Sequence, residues 1–322
     1  MKSFRVTHIG HPPSFEDVNR PLPAKGELLV RITACGLNFA DLLMIKGQYQ
    51  DTPDVPFTLG MEIAGIVEAI GPETEGPAIG TRVAIFGGNG GLAEYGVFPA
   101  ERAVVISDSM SNEIAAGFQV AYGTSHLALS HKARLQAGET LVVLGAAGGV
   151  GLTAVEIGKL MGARVIACAR GKEKLEIAKR AGADHVLDTE VDDIRAEIKA
   201  LGGADVVYDP VGGDLFIEAF RACNPDARIL AIGFASGKVP EAKLNHMLVK
   251  NITVIGFYWG GYLKFAPEIL IGSMNQLMTW HSEGRLQPHI SHALPFEQSA
   301  EGLEMLRKRQ STGKIVIKVG NS

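Results

Sequence analysis

The chain has 322 residues, 46% of them hydrophobic and 20% charged, with a formal charge of −4. This length and composition predict two domains with sizeable cores and exclude a disordered chain; 35 acidic against 31 basic side chains give no overall positive field for nucleic acid. No apolar run reaches the roughly 18 residues of a membrane span, the start MKSFRVTHIG lacks an apolar signal segment, and Cys35, Cys168 and Cys223 suit scattered reduced thiols, so a cytoplasmic protein without membrane or nucleic-acid partners is expected.

In chain order, the first third reads as strands. The segments 27–33 (ELLVRIT), 62–70 (EIAGIVEAI), 81–86 (TRVAIF) and 103–106 (AVVI) are short apolar or alternating runs between Gly- and Pro-rich stretches. Their spacing predicts a partly open β-barrel domain. From about residue 140 strands alternate with helices: 140–144 and a helix to 161, 164–168 and a helix to 181, 184–187 and then 194–201. The series continues with 205–208, a helix over 215–223 and 228–232. Nearly all-apolar strands in strict alternation with helices predict an α/β fold with a parallel, doubly wound sheet. The tail holds helices over 269–283 and 298–309 and a last strand, 314–319. If that strand returns to the β domain, the first domain is 1–120 with 266–322 and the inserted α/β domain is 121–265.

The sharpest chemical signal follows the first strand of the α/β half. There LVVL runs into Gly145-Ala146-Ala147-Gly148-Gly149-Val150-Gly151 and a helix, a dinucleotide fingerprint with Ala146 in place of its first glycine. Gly148 admits a pyrophosphate to the backbone, Gly151 lets the helix approach the strand, and free N–H groups at the helix start hold phosphate charge. A glycine turn used only for packing is the alternative. The strand 164–168 exits into Ala169-Arg170-Gly171-Lys172-Glu173-Lys174. No acid stands there to accept from ribose hydroxyls, and Arg170 and Lys174 offer positive charge to a phosphate, so NADP(H) is expected over NAD. A solvated basic helix start is the plainer reading of these cations. Asp188, at the next strand end, is unfavourable beside a phosphate and tempers the preference.

Ala34-Cys35-Gly36-Leu37-Asn38-Phe39-Ala40-Asp41, then Gly60-Met61-Glu62-Ile63-Ala64-Gly65, then the AAGGVG loop resemble the medium-chain dehydrogenase/reductase superfamily, most of all its zinc-free quinone oxidoreductase branch, related to zeta-crystallin. The resemblance spans the chain and implies a GroES-like β domain flanking a Rossmann domain. Zinc-dependent members carry Cys at the position of Asn38 and Gly-His-Glu where Gly60-Met61-Glu62 stands. Asn and Met are poor zinc ligands, so no metal is expected. His126 with His131, and His289 with His292 at helical spacing, lack a third ligand and read as packed or solvated. The chain departs from well-known quinone reductases at Val142, where Leu is usual, and at Glu156, where Gln is usual; both changes touch packing.

The resemblance places Asn38 and Asp41 beside the nicotinamide end and matches Tyr49 to a tyrosine that faces the acceptor, giving Asn38, Asp41 and Tyr49 as catalytic candidates. For Tyr49 a partly buried loop aromatic is the alternative; for Asp41 a helix cap bonded to backbone N–H groups outranks catalysis. Thr124 is assigned to the cofactor as well. Relatives also use backbone after the later strands, here Val211 and Gly212, then Gly233, Phe234 and Ala235, then Phe257, Tyr258 and Trp259. Those last aromatics could instead lie at a dimer interface, because such enzymes pair their sheets edge to edge. Without a Lewis acid, hydride transfer suits an acceptor whose conjugation spreads the charge. The expected activity is NADPH-dependent, zinc-independent reduction of a quinone or conjugated carbonyl by a homodimer. Two alternatives stay open: an enone or enoyl double-bond reductase, and an NADPH-binding structural or partner-binding protein with little turnover.

Overall fold

The computed structural model describes residues 1–320 and divides into two units, Met1–Val120 with the chain from Pro288 onward, and Ala121–Gln287. In the first unit β1 (Lys2–Val6) and β2 (Ser14–Asp17) pair antiparallel. β3 (Glu27–Gly36) leads through the helix α1 (Phe39–Ile45) to β4 (Phe57–Thr58), which pairs with β1. β5 (Glu62–Ile70) pairs with β3 and with β6 (Arg82–Phe86); β7 (Tyr95–Pro99) adds to β3 and β8 (Ala103–Val105) to β6. Leu28, Val30, Ile32, Ile63, Val67, Val83 and Ile85 fill the core beneath this sheet, all at most 1% exposed.

Helix α2 (Asn112–Leu127) carries the chain into the second unit, the division falling after Val120. There β9 (Thr140–Leu144), α3 (Gly149–Leu160), β10 (Arg164–Ala169), α4 (Lys172–Arg180), β11 (His185–Asp188) and α5 (Ile194–Ala200) alternate without exception. β12 (Ala204–Asp209), α6 (Gly213–Ala222), β13 (Cys223–Ala231), α7 (Leu244–Lys250) and β14 (Thr253–Gly256) continue the pattern. The sheet order is β11-β10-β9-β12-β13-β14, all parallel. Its reversal between β9 and β12 is the switch point at which such sheets bind ligands. Every residue of β9 is buried, as a strand covered on both faces requires; each fully buried Leu or Val there contributes ~1.5–3 kcal/mol.

Helices α8 (Tyr262–Phe265) and α9 (Pro267–Ser282) still belong to the second unit; β15 (Ile290–Pro295), α10 (Ser299–Arg307) and β16 (Lys314–Lys318) return to the first. β16 runs antiparallel to β3. The inserted arrangement is therefore the one present, but the return lies at Pro288 and not at 266. α9 buries Leu270, Met274 and Leu277 and is tied to α2 by a 2.7 Å hydrogen bond between Ser273 Oγ and His126 Nδ1. Residues 289 and 292 are not on a helix as their spacing suggested: His292 lies in β15 and His289 just before it.

Candidate active site

β9 ends at Gly145, whose φ of +60° turns the chain. Ala146 N then donates to Cys168 O at 3.0 Å and Gly148 N to Gly145 O at 2.9 Å, closing the loop. Ala146 and Ala147 are buried, so the alanine in place of the first glycine is a packing choice. At Gly151 there is no such freedom, because a Cβ would stand 2.2 Å from Gly145 O. Gly148 is exposed and caps α3 with no side chain. The first-turn N–H groups of an α-helix have no intrahelical acceptor, and the dipole adds positive charge. This loop fits the pyrophosphate of a dinucleotide.

Three further segments meet at the same carboxyl edge of the sheet. A Cβ on Gly145 would lie 2.8 Å from Val211 Cγ2. Val211 and Gly212 both donate their N–H to Asp209 Oδ1 at 2.8 Å, while burial pushes that carboxyl upward against these bonds. Ala235 N donates to Pro210 O at 3.1 Å and Ser236 N to Val211 O at 2.9 Å, bringing Gly233, Phe234 and Ala235 beside them. Thr124 is buried next to Ser125, whose Oγ donates to Val150 O at 2.9 Å. Phe257 and Trp259 are buried within this unit, Phe257 with its ring 5.9 Å from that of Tyr262 and Trp259 against Gly123. Tyr258 is half-buried.

At the end of β10, Arg170 is exposed and Lys174 half-buried. Asp188 Oδ1 accepts from Gly171 N and Glu190 N, each at 3.1 Å, so backbone hydrogen bonds account for this acid. Glu156 is half-buried and accepts from Tyr122 Oη at 2.6 Å and from Gln287 N. Burial pushes both the Glu156 carboxyl and the Tyr122 phenol upward.

The first unit holds a separate polar centre. Asn38 caps α1, and Asp41, fully buried, accepts from Asn38 N at 2.8 Å and from Gly60 N at 3.2 Å. Burial pushes Asp41 up to about 6, against those two N–H bonds. These bonds tie the start of α1 to the chain that leads into β5. β16 places Val316 opposite Gly36, so Lys314 reaches the chain just beyond the end of β3. Its ammonium donates to Leu37 O at 2.7 Å, Asn38 Oδ1 at 2.8 Å and Glu62 Oε1 at 2.7 Å. Glu62 Oε2 accepts from Val120 N at 2.9 Å, and Glu62 and Lys314 are only 1% and 7% exposed. Gly36 is obligatory here, since a Cβ would lie 2.3 Å from Ala116 O. Burial, then the charges of Asp41 and Glu62, push the Cys35 thiol upward.

Lys314 was not legible as a site residue, because a lysine opening the run KIVIK looks like a solvated strand end. Glu62 was visible only as part of Gly60-Met61-Glu62. Tyr49 lies half-buried in the loop after α1, where its carbonyl accepts from Thr52 N and Oγ1 at 3.1 and 2.6 Å. His126 packs edge-on against Trp280 at 5.2 Å, and burial pushes it down to about 4. His131 packs against Tyr262, His289 bonds Thr312 Oγ1 at 3.0 Å, and His292 bonds Ser291 Oγ at 2.9 Å. Among the described residues no group of three or more His, Cys, Asp or Glu is arranged to hold a metal.

Residues 24–108 match the alcohol dehydrogenase GroES-like domain family and residues 149–275 the zinc-binding dehydrogenase family. A quinone oxidoreductase-like protein 2 homolog from Nematostella vectensis is 36% identical over 326 residues, covering 98% of this chain and 89% of that protein. The quinone oxidoreductase of Thermus thermophilus, solved also in complex with NADPH, superposes with a TM-score of 0.88 at 31% identity, over 99% of this chain and 100% of that one. The NADPH complex of Escherichia coli quinone oxidoreductase gives 0.91 at 25% identity, over 99% and 100%. With these relatives spanning both units, the chain belongs to the quinone oxidoreductase branch of the medium-chain dehydrogenase/reductase superfamily.

Proposed function

We propose that this protein is an NADPH-dependent, zinc-independent reductase of quinones or related conjugated carbonyls. The observation that carries the reading is the start of α3, which has no side-chain cap and lies behind the exposed Gly148 in a loop that Gly151 keeps closed. The NADPH complexes of the two related quinone oxidoreductases support the choice of cofactor. Bound at this edge, NADPH supplies a hydride. The N–H groups of Gly149, Val150 and Gly151 hold the pyrophosphate, and Arg170 and Lys174 offer charge to the additional phosphate. The backbones of Val211–Gly212, Gly233–Ala235 and Phe257–Trp259 frame the remainder, with Thr124 near the start of α3.

A conjugated acceptor needs alignment and a hydrogen bond more than a Lewis acid. In this reading Tyr49 donates that bond and Asn38 orients, while Asp41 holds the start of α1. Independence from zinc is supported by donor chemistry: an ammonium, Lys314 Nζ, lies 2.8 Å from Asn38 Oδ1 and 2.7 Å from Glu62 Oε1. A homodimer belongs to the same reading, since β14 is the last strand of its sheet and α7 exposes Leu244, Leu248 and Val249. The unpaired Cys35, Cys168 and Cys223 suit the cytoplasm, and no helix among the described residues is long and apolar enough to cross a membrane.

NADPH oxidation with an ortho-quinone, a para-quinone and a 2-alkenal tests the assignment. Turnover of a quinone without added zinc, undiminished by a chelator, is expected. Turnover of the alkenal alone would favour a double-bond reductase, and NADPH binding without turnover of any acceptor a binding protein. Arg170→Ala should raise the KM for NADPH far more than for NADH; equal changes would remove Arg170 from the phosphate.

A further inference from the structure

Three buried hydroxyls meet at the first turn of α3, all within the second unit. Ser125 on α2 and Tyr208 on β12 are fully buried, and Thr153 on α3 is 6% exposed. Ser125 Oγ lies 2.8 Å from Thr153 Oγ1 and 3.0 Å from Tyr208 Oη. Among the described residues Ser125 Oγ is the one hydrogen-bond partner of Tyr208 Oη, so the phenol donates to the serine. The Ser125 hydrogen is then left for Val150 O, at 2.9 Å. Thr153 Oγ1 has Ala121 O and Val150 O each at 3.1 Å and Gly149 O at 3.4 Å. A carbonyl oxygen carries two lone pairs, so Val150 O can take this bond and still serve the helix.

Val150 C=O and Gly151 N–H belong to one planar peptide. A donor on the carbonyl fixes that plane and, by polarising it, makes the N–H at its other end a stronger donor. Ser125 therefore acts on an N–H assigned above to the pyrophosphate without touching a ligand itself. We propose that Ser125 is a positioning residue of the dinucleotide loop, its hydroxyl, aimed by Tyr208, holding the Val150–Gly151 peptide so that the Gly151 N–H is directed at the pyrophosphate. The inference rests on the reading above, in which this turn binds a dinucleotide.

Two readouts test it. In protein labelled with 13C-carbonyl valine and 15N-glycine, only the Val150–Gly151, Val211–Gly212 and Val319–Gly320 peptides give a correlated signal. In the free protein Ser125→Ala moves the Val150 carbonyl resonance upfield, as a carbonyl losing a donor does, and leaves that of Val319 in place. In equilibrium titrations Ser125→Ala weakens NADPH and NADH by the same factor, about threefold to tenfold, because both carry the pyrophosphate. Adenosine 2′-monophosphate, which has no pyrophosphate, binds within about twofold of wild type. Tyr208→Phe repeats the pattern at about twofold to threefold, since Ser125 keeps its bond but loses the group that aims it. Should Ser125→Ala not fold with the Tyr208 hydroxyl left unpaired, Ser125→Ala with Tyr208→Phe, which removes both hydroxyls, takes its place in both measurements. A lower Tm with unchanged NADPH affinity, a loss confined to NADPH, an equal loss for adenosine 2′-monophosphate, or an unmoved Val150 resonance overturns the proposal. Failure of the wild type to bind NADPH refutes the dinucleotide reading and the pyrophosphate half of the proposal, while the Val150 resonance still decides whether Ser125 holds this peptide.

Discussion

His126 should make the second unit sensitive to acid. Its ring is 9% exposed, bonds Ser273 Oγ at 2.7 Å and meets Trp280 edge-on, and burial pushes it down to about 4 from an ordinary 6.5. Between these values the unfolded chain binds a proton that the folded chain does not, so stability present above 6.5 is lost as pH falls toward 4. Integrated from about pH 7.5 to about pH 5, the loss is about 2 kcal/mol. Asp41 has the opposite sign: raised to about 6 from 3.8, it favours the folded state as pH falls, but it lies in the first unit. Both tryptophans, Trp259 and Trp280, lie in the second unit, so urea unfolding followed by tryptophan fluorescence isolates the relevant transition. His126→Asn keeps a partner for Ser273 and removes the titration. Lost ring packing lowers its stability by the same amount at every pH, and Glu156 and His281 titrate in both proteins and cancel. Wild type should therefore lose about 2 kcal/mol more than the variant over that interval. Parallel pH dependences would refute the assignment.

Gly151→Ala drives a methyl group to within 2.2 Å of Gly145 O and should weaken NADPH binding about tenfold or more, read by equilibrium titration; unchanged affinity would mean that the loop can relax around it. Tyr122→Phe removes a donor from the half-buried Glu156 and should cost about 1.5–3 kcal/mol in the tryptophan-reported transition, whereas a change under about 0.5 kcal/mol would show that another donor replaces it. Leu248→Glu places a charge on a side chain that is 77% exposed and should convert the proposed dimer to a monomer in light scattering; a variant dimer as tight as wild type would move the interface away from α7, and a monomeric wild type would remove the dimer itself.

The sequence made the second unit far more legible than the first. Fully buried parallel strands are continuous apolar runs, so β9, β10 and β12 could be read almost to the residue, as could the loop that follows β9. β1, β2, β4, β7 and β15 were not anticipated, being short or mixed in polarity, with neighbours distant in sequence. The helix expected to run through residue 223 ends at Ala222, because Cys223 already opens β13. The polar centre of the first unit was half visible. Asn38 and Asp41 have the spacing of a helix cap, but Lys314 is 276 positions from Asn38 and only the pairing of β16 with β3 brings them together. A contact of that separation leaves no local pattern.

The division of the chain has a consequence for synthesis. The unit containing β9–β14 is continuous from Ala121 to Gln287, so all of it leaves the ribosome before β16 is made. The other unit emerges first yet lacks β16, one neighbour of β3, and Lys314, a counter-cation bonded to Glu62, until after the second unit has been made. Maturation should thus proceed from the middle outward, with the amino-terminal strands held incomplete and open to chaperones until β16 emerges.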